Sequence, residues 1–443
     1  MKKQIIRITI YGSAAAVLLL ASSCKKNYLN PNAATEEQVF SSSQGLTGVV
    51  IGLQRVYTAG RASSLYNRVT INGLVTKELT VLNQGNTGEY QLQLGGGSVD
   101  GTNSLMSGLW TSSNKIIYDA DKVIAGASGL ADKGYASGLI AYASVFKALA
   151  IGDLSMFWEK IPEAIGKNVG FIDRAQGFAK AIGTIDNALT VISANPISAQ
   201  FLTVIPQNAP PPTPNPAFDI VNTLHALKAR FSLFMNNYAQ ALSEANATSL
   251  TIKSAFNFTS VTLNPIFETH TSTNNVCAAV DTTTLGLPGG LQPDPSDKRL
   301  KFYTTNAYNS KIKGFAVAAT TSWPIYLPGE MILTKAEAYA RQSTPDLVNA
   351  LAELNKVVTK TPASDPYGVG ADLPPLTGPF TQAQLLDQIY KHRCIELYMS
   401  GLKLEDMRRF GRPNAERTRN FLPYPFLERD NNPNMASIPD PAF

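Results

Sequence analysis

Apolar residues at helical spacing dominate this chain and leave little room for any other fold. The cleanest run covers 219–242, where Ile220, Leu224, Leu227, Phe231, Phe234, Tyr238 and Leu242 recur at intervals of three and four. That period puts all seven on one helix face. The same period predicts helices near 104–126, 135–151, 174–193, 330–341 and 346–358. Start and stop chemistry agrees. Thr344-Pro345-Asp346 offers a cap, a proline suited to the first helical position and an acid near the positive helix end. Phe380, Thr381, Gln384 and Leu385 have the form of a capping box with a hydrophobic staple, and Gly401 is placed to stop the helix they begin. Runs of strand character are few and short.

Long stretches lack this period. "PQNAPPPTPNP" (206–216) excludes a regular helix or a central strand. The stretches 82–103 and 264–327 are rich in Gly, Asn, Thr and Pro, and loops of that length in a compact protein are usually functional. No fixed-period repeat appears. The expected architecture is mainly α, with long irregular loop insertions, in one domain over 38–443.

The N-terminus reads as an address. "MKKQIIR" is a positive start, and "ITIYGSAAAVLLL" is an apolar segment too short for a comfortable membrane span. It ends at "LASSC", which resembles a bacterial lipoprotein box. That resemblance implies a signal peptide over 1–23, cleavage before Cys24, acylation of Cys24 and a lipidated tether over 24–37. Lys2, Lys3 and Arg7 supply three of the five net positive charges of the whole chain. The near-neutral remainder offers no electrostatic footprint for nucleic acid. Cys277 and Cys394 are the other cysteines, too few for a disulfide framework and outside any metal-ligand spacing.

"IYKHRCIELYMSGLKLEDMRRFGRP" (389–413) concentrates charge within an apolar helical pattern. Arg393 shares a face with Leu386, Ile389, Tyr390 and Leu397, so its guanidinium is due for burial and needs a partner. Glu396, Asp406, Arg408 and Arg409 are placed to join it in an internal ion-pair lattice bracing the last two helical segments. Catalytic use would need a titrating base, and the one candidate, His392, points about 100° away from Arg393.

The same stretch resembles the C-terminal signature of the SusD/RagB family of Bacteroidetes outer-membrane lipoproteins, approximately I-x-x-E-R-x-x-E-L-x-x-E-G-x-R-x-x-D-L-x-R. Arg393, Glu396, Leu397, Gly401, Asp406 and Arg409 match, while His392, Ser400 and Lys403 depart from it. "SWPIYLPGEMILTKAEAYAR" (322–341), "ALAELNKVV" (350–358), "LWTSSNKIIYDADKVI" (109–124) and "SDKRLKFY" (296–303) resemble further family segments in order. The resemblance implies tetratricopeptide-like helix pairs carrying a loop-rich ligand face. It also implies a cell-surface lipoprotein that captures glycan and delivers it to a TonB-dependent, SusC-like outer-membrane transporter without hydrolysing it.

Sugar binding calls for aromatic faces flanked by amides and charges. Polar loops offer Tyr66, Asn67 and Arg68; Asn83, Asn86, Tyr90 and Gln91; Tyr308; and Trp323. Trp110 and Trp158 fall in helical segments and read as core. No cofactor is expected; the sequence leaves a structural calcium ion open, Asp294 and Asp297 being too sparse a cluster to assign one. Two rivals remain. The cargo could be peptide, as the RagB side of the family suggests. A glycosidase could use any two carboxylates, although H-E-x-x-H, G-x-S-x-G and phosphate-binding glycine motifs are all absent.

Overall fold

A computed structural model describes residues 35–208 and 215–443. The expected signal peptide, Cys24 and most of the tether lie outside these residues, as does much of the proline-rich run.

Helices follow the apolar stripes, and polar side chains start them. The first are α1 (Glu36–Phe40), α2 (Ser43–Thr58), α3 (Ser64–Val75), α4 (Thr87–Leu94), α5 (Ser104–Ser128), α6 (Lys133–Phe157), α7 (Arg174–Ala194) and α8 (Ala199–Val204). After them come α9 (Ile220–Phe234), α10 (Tyr238–Ala247), α11 (Lys298–Tyr303), α12 (Pro328–Arg341), α13 (Leu347–Val358), α14 (Gln382–Glu396), α15 (Lys403–Arg409) and α16 (Phe426–Asn431). Ser42, Ser63, Asn103, Asp132, Asp219 and Asn237 each accept a backbone N–H of the first turn that would otherwise lack a partner. Thr381 and Gln384 close a reciprocal capping box at α14.

Two sequence readings are corrected here. The single stripe over 219–242 is two helices, because Asn236 turns left-handed (φ 58°) between α9 and α10 and folds them into a pair. Asparagine tolerates that conformation, so the apolar period passes through the turn undisturbed. The helix expected from Thr344 begins later, with Asp346 as its cap.

The helices pack as successive pairs: α5 on α6, α6 on α7, α7 on α9, α9 on α10, α10 on α12 and α12 on α13. The long apolar α6 is buried on nearly every side between α5 and α7, which marks it as a core helix. The C-terminal segment folds back onto this layer. Trp158 Nε1 donates to Pro423 O at 2.9 Å, Trp110 Nε1 donates to Glu428 Oε2 at 3.2 Å, and the two indoles pack edge to face.

Strands are short and come in three antiparallel pairs, each of two strands: β1 (Leu79–Val81) with β5 (Cys277–Ala279), β2 (Lys160–Pro162) with β3 (Phe171–Asp173), and β4 (Ala255–Phe256) with β6 (Trp323–Pro324). The first pair positions the candidate site. It sets Leu79 opposite Ala279 and Val81 opposite Cys277, and Leu82 N–H extends it to Val276 O. Two segments about two hundred residues apart in sequence thus leave the same edge of the molecule together.

Beneath the helix pairs lies a buried charge lattice. Arg393 grips Asp406 with two hydrogen bonds of 2.9 and 3.0 Å, and Arg409 bonds both Glu337 and Asp406. Glu396 receives Arg299 and Lys360, while Arg299 also meets Asp297 and His392 Nδ1. Arg408 bonds Glu405 and Met156 O, and lies 4.0 Å over the Phe421 ring. Burial alone would raise the Asp406 carboxyl, but Arg393 and Arg409 hold it below its ordinary value. The paired guanidiniums tie α11, α12, α14 and α15 in one register, and this arrangement leaves Arg393 and Glu396 no opening to a ligand.

Candidate ligand-binding site

The joint between β1 and β5 opens into an exposed cleft of about 550 Å³. Leu82 and Asn83 leave β1 on one wall. Asn274 and Asn275 approach β5 on the next. The third wall is the tip of a hairpin, with Asn306, Tyr308, Asn309 and Lys311. An isolated bridge between Thr304 and Ile312 closes that hairpin, and Ala279 N–H donates to Ser310 O at 2.8 Å, docking it on β5. Five side-chain amides and one open phenol ring, 46% exposed, therefore face a common space. Amides donate and accept at once, which suits hydroxyl groups, and a phenol face suits the C–H side of a pyranose.

A second tier steadies the first wall. Arg61 bonds Glu89 Oε1 at 2.6 and 3.1 Å and Asn86 Oδ1 at 3.0 Å, while Tyr66 donates to the same Glu89 oxygen at 2.7 Å. Asn86 in turn donates through Nδ2 to Asn83 O. Below them His270 meets Thr70 Oγ1 at 3.1 Å, and burial, with the nearby Arg61 charge, pushes its imidazole down to about 3. It stays neutral near pH 7 and is no titrating base. Burial likewise raises the Cys277 thiol well above its usual value, which leaves it protonated and inert.

The sequence candidates divide sharply. Asn83 and Tyr308 line the cleft. Asn86 stands behind it, half-buried. Tyr90 and Gln91 lie on α4, half-buried, with Gln91 engaged by Asn103. Tyr66, Asn67, Arg68 and Trp323 are corrected: none lies on an open loop. The first three are buried on α3, and Trp323 is buried in β6 against Phe315. "GRASSLYNR" looked like a polar loop because its serines cap and start a helix whose polar side chains bond inward. Asn274, Asn275, Asn306 and Lys311 were missed. The asparagine density of "TNN" (273–275) and "TNAYN" (305–309) was the available clue.

A larger cleft of about 760 Å³ opens elsewhere, beside Phe218, Lys253, Phe302, Phe315 and Tyr367. Phe302 and Phe315 pack edge to face there at 5.3 Å. Among the described residues, no group of three or more His, Cys, Asp or Glu side chains is placed to hold a metal ion. The Asp294 carboxylate is taken by Ser296 and that of Asp297 by Arg299.

Comparison with known proteins bears on the fold. Residues 298–441 match the model of the SusD family. No curated protein sequence matches the chain. Among solved structures, a SusD-like carbohydrate binding protein from Bacteroides fragilis superposes with a TM-score of 0.65 at 13% identity, covering 89% of this chain and 99% of its own. A SusD superfamily protein from Parabacteroides distasonis gives 0.64 at 13% identity over 91% and 98%. Surface glycan-binding protein A from Bacteroides thetaiotaomicron, in complex with laminarihexaose, gives 0.61 at 14% identity over 90% and 99%. The class is thus that of helix-pair proteins with the SusD fold. Its C-terminal third, residues 298–441, is similar in sequence to the SusD family, and the rest of the chain shares the fold of SusD superfamily structures.

Proposed function

We propose that this protein is a cell-surface lipoprotein that binds oligo- or polysaccharide in the cleft around Tyr308 and passes it to a TonB-dependent, SusC-like outer-membrane transporter. The observation that carries the reading is the meeting of Asn83, Asn274, Asn275, Asn306 and Asn309 around one open tyrosine. Similarity to proteins named for carbohydrate or glycan binding supports it. The lipoprotein box ending at Cys24 supports attachment to a membrane through lipid.

One observation favours a second cargo. Five amides to one aromatic ring is also a composition able to read peptide backbone, whose N–H and C=O groups pair with side-chain amides. A glycan array run beside a peptide-library pull-down separates the two. Retention on polysaccharide with no oligosaccharide released supports the proposed reading; peptide capture alone, or released sugar, contradicts it. The anchor has its own test. Cys24→Ser is expected to move the protein from the membrane fraction to the soluble fraction, and unchanged fractionation counts against acylation.

A further inference from the structure

We infer that the cleft selects anionic saccharides, with the Lys311 ammonium pairing a carboxylate or sulfate of the bound glycan. This rests on the saccharide-binding reading above. Among the described residues, Lys311 is the one charged side chain that lines the cleft, and no Asp or Glu lines it with Lys311. Carboxylates are the natural acceptors for the donor half of a neutral sugar hydroxyl. Two of the cleft's amides donate locally, Asn274 Nδ2 to Glu268 O and Asn275 Nδ2 to Thr273 O, whereas the Lys311 ammonium has no acceptor among the described residues, and an oxyanion suits it best.

Lys311 also lacks an internal partner. Among the described residues no carboxylate oxygen lies within 4.0 Å of its ammonium, whereas Lys298, Lys335 and Lys360 each have one. The residue itself is half-buried in the cleft wall.

The backbone at this position is unusual as well. Lys311 adopts a left-handed conformation (φ 54°), which is costly for a residue with a Cβ and easy for glycine. The hairpin enforces it: Lys311 N–H donates to Tyr308 O and Thr305 N–H donates to Lys311 O, both at 2.9 Å. Asn275, across the cleft, is left-handed too (φ 46°). Non-glycine residues held this way gather at ligand sites.

Calorimetric titration of the full chain with three probes tests the inference: oligogalacturonate for uronates, a sulfated carrageenan tetrasaccharide for sulfate, and laminarihexaose as the neutral control. One anionic probe is expected to bind about tenfold or more tightly than the neutral one, as suits a charge-assisted hydrogen bond. That preference is expected to weaken as salt rises. Lys311→Gln is expected to remove the preference while leaving the melting temperature unchanged. Whichever anionic probe retains affinity identifies the group. Equal affinity for neutral and anionic probes, or a preference that survives Lys311→Gln, overturns the inference and leaves saccharide binding standing. No binding of any glycan, with the fold intact by circular dichroism, overturns both.

Discussion

Glu78 sits at the turn from α3 into β1, one residue before the strand that leads to the cleft. Its carbonyl oxygen is used by Tyr398 and Val280, but neither carboxylate oxygen has a hydrogen-bond partner among the described residues. Burial pushes its carboxyl up to about 7, against the opposing pull of the Lys403 ammonium. The sign follows from proton counting. Between about 4.5 and 7 the folded chain holds this proton more tightly than the unfolded chain, so Glu78 subtracts stability as pH rises through that window. The full difference is up to about 3 kcal/mol. Glu78→Gln should therefore gain stability over the wild type progressively from pH 5 to pH 8, measured by urea denaturation. Parallel curves for the two proteins would refute it. His270 and His392, both held low by burial, act in the opposite direction below about pH 6.5, but they are common to both proteins and cancel in the comparison. Arg393 belongs to the same scale. It is 1% exposed and doubly bonded to Asp406, so Arg393→Ala leaves a buried carboxylate short of its partner. A loss on the order of 3 kcal/mol is expected. Retained stability together with lost ligand binding would show that Arg393 serves the ligand and not the fold.

At the scale of elements, local chemistry predicts far more than it places. The Thr381–Gln384 box is visible in the sequence and closes in the structure, so Thr381→Ala should cost about 1 kcal/mol by thermal melting. An unchanged melting temperature would mean that packing alone fixes the start of α14. Helices α5, α7 and α13 are legible because each buries one apolar stripe, and stripes survive in one dimension; α6 and α12, buried on nearly every side, show as largely apolar runs of helical length. The α9–α10 break was not, because Asn236 turns the chain without interrupting the period. Tyr66 misled for a related reason. Small polar neighbours suggest a loop, yet here Ser63 caps α3 and Tyr66 finds Glu89 inside the fold. Trp323 misled likewise: polar neighbours surround a residue whose strand pairs with β4. Loop and buried cap look alike until tertiary partners are known.

Across the whole molecule, the cleft exists only because distant segments meet. Pairing of β1 with β5, and docking of the 304–312 hairpin on β5, bring residues 82–83, 274–275 and 306–311 to one edge. The sequence shows that these loops are long and rich in asparagine. It does not show that they converge, since strand pairs of two or three residues carry almost no periodic signal. The helix pairs and their charge lattice form the frame, and in the proposed reading the loops they carry provide the recognition chemistry. The most direct measurement is the affinity of Tyr308→Ala, and of Tyr308→Ala combined with Asn309→Ala, for the glycan retained by the wild-type chain. Tyr308 is exposed and its loss leaves the core untouched. Loss of the stacking face should weaken binding about tenfold, and the double variant should bind more weakly still, with both melting temperatures unchanged. Wild-type affinity in the double variant would place the ligand elsewhere and contradict the account.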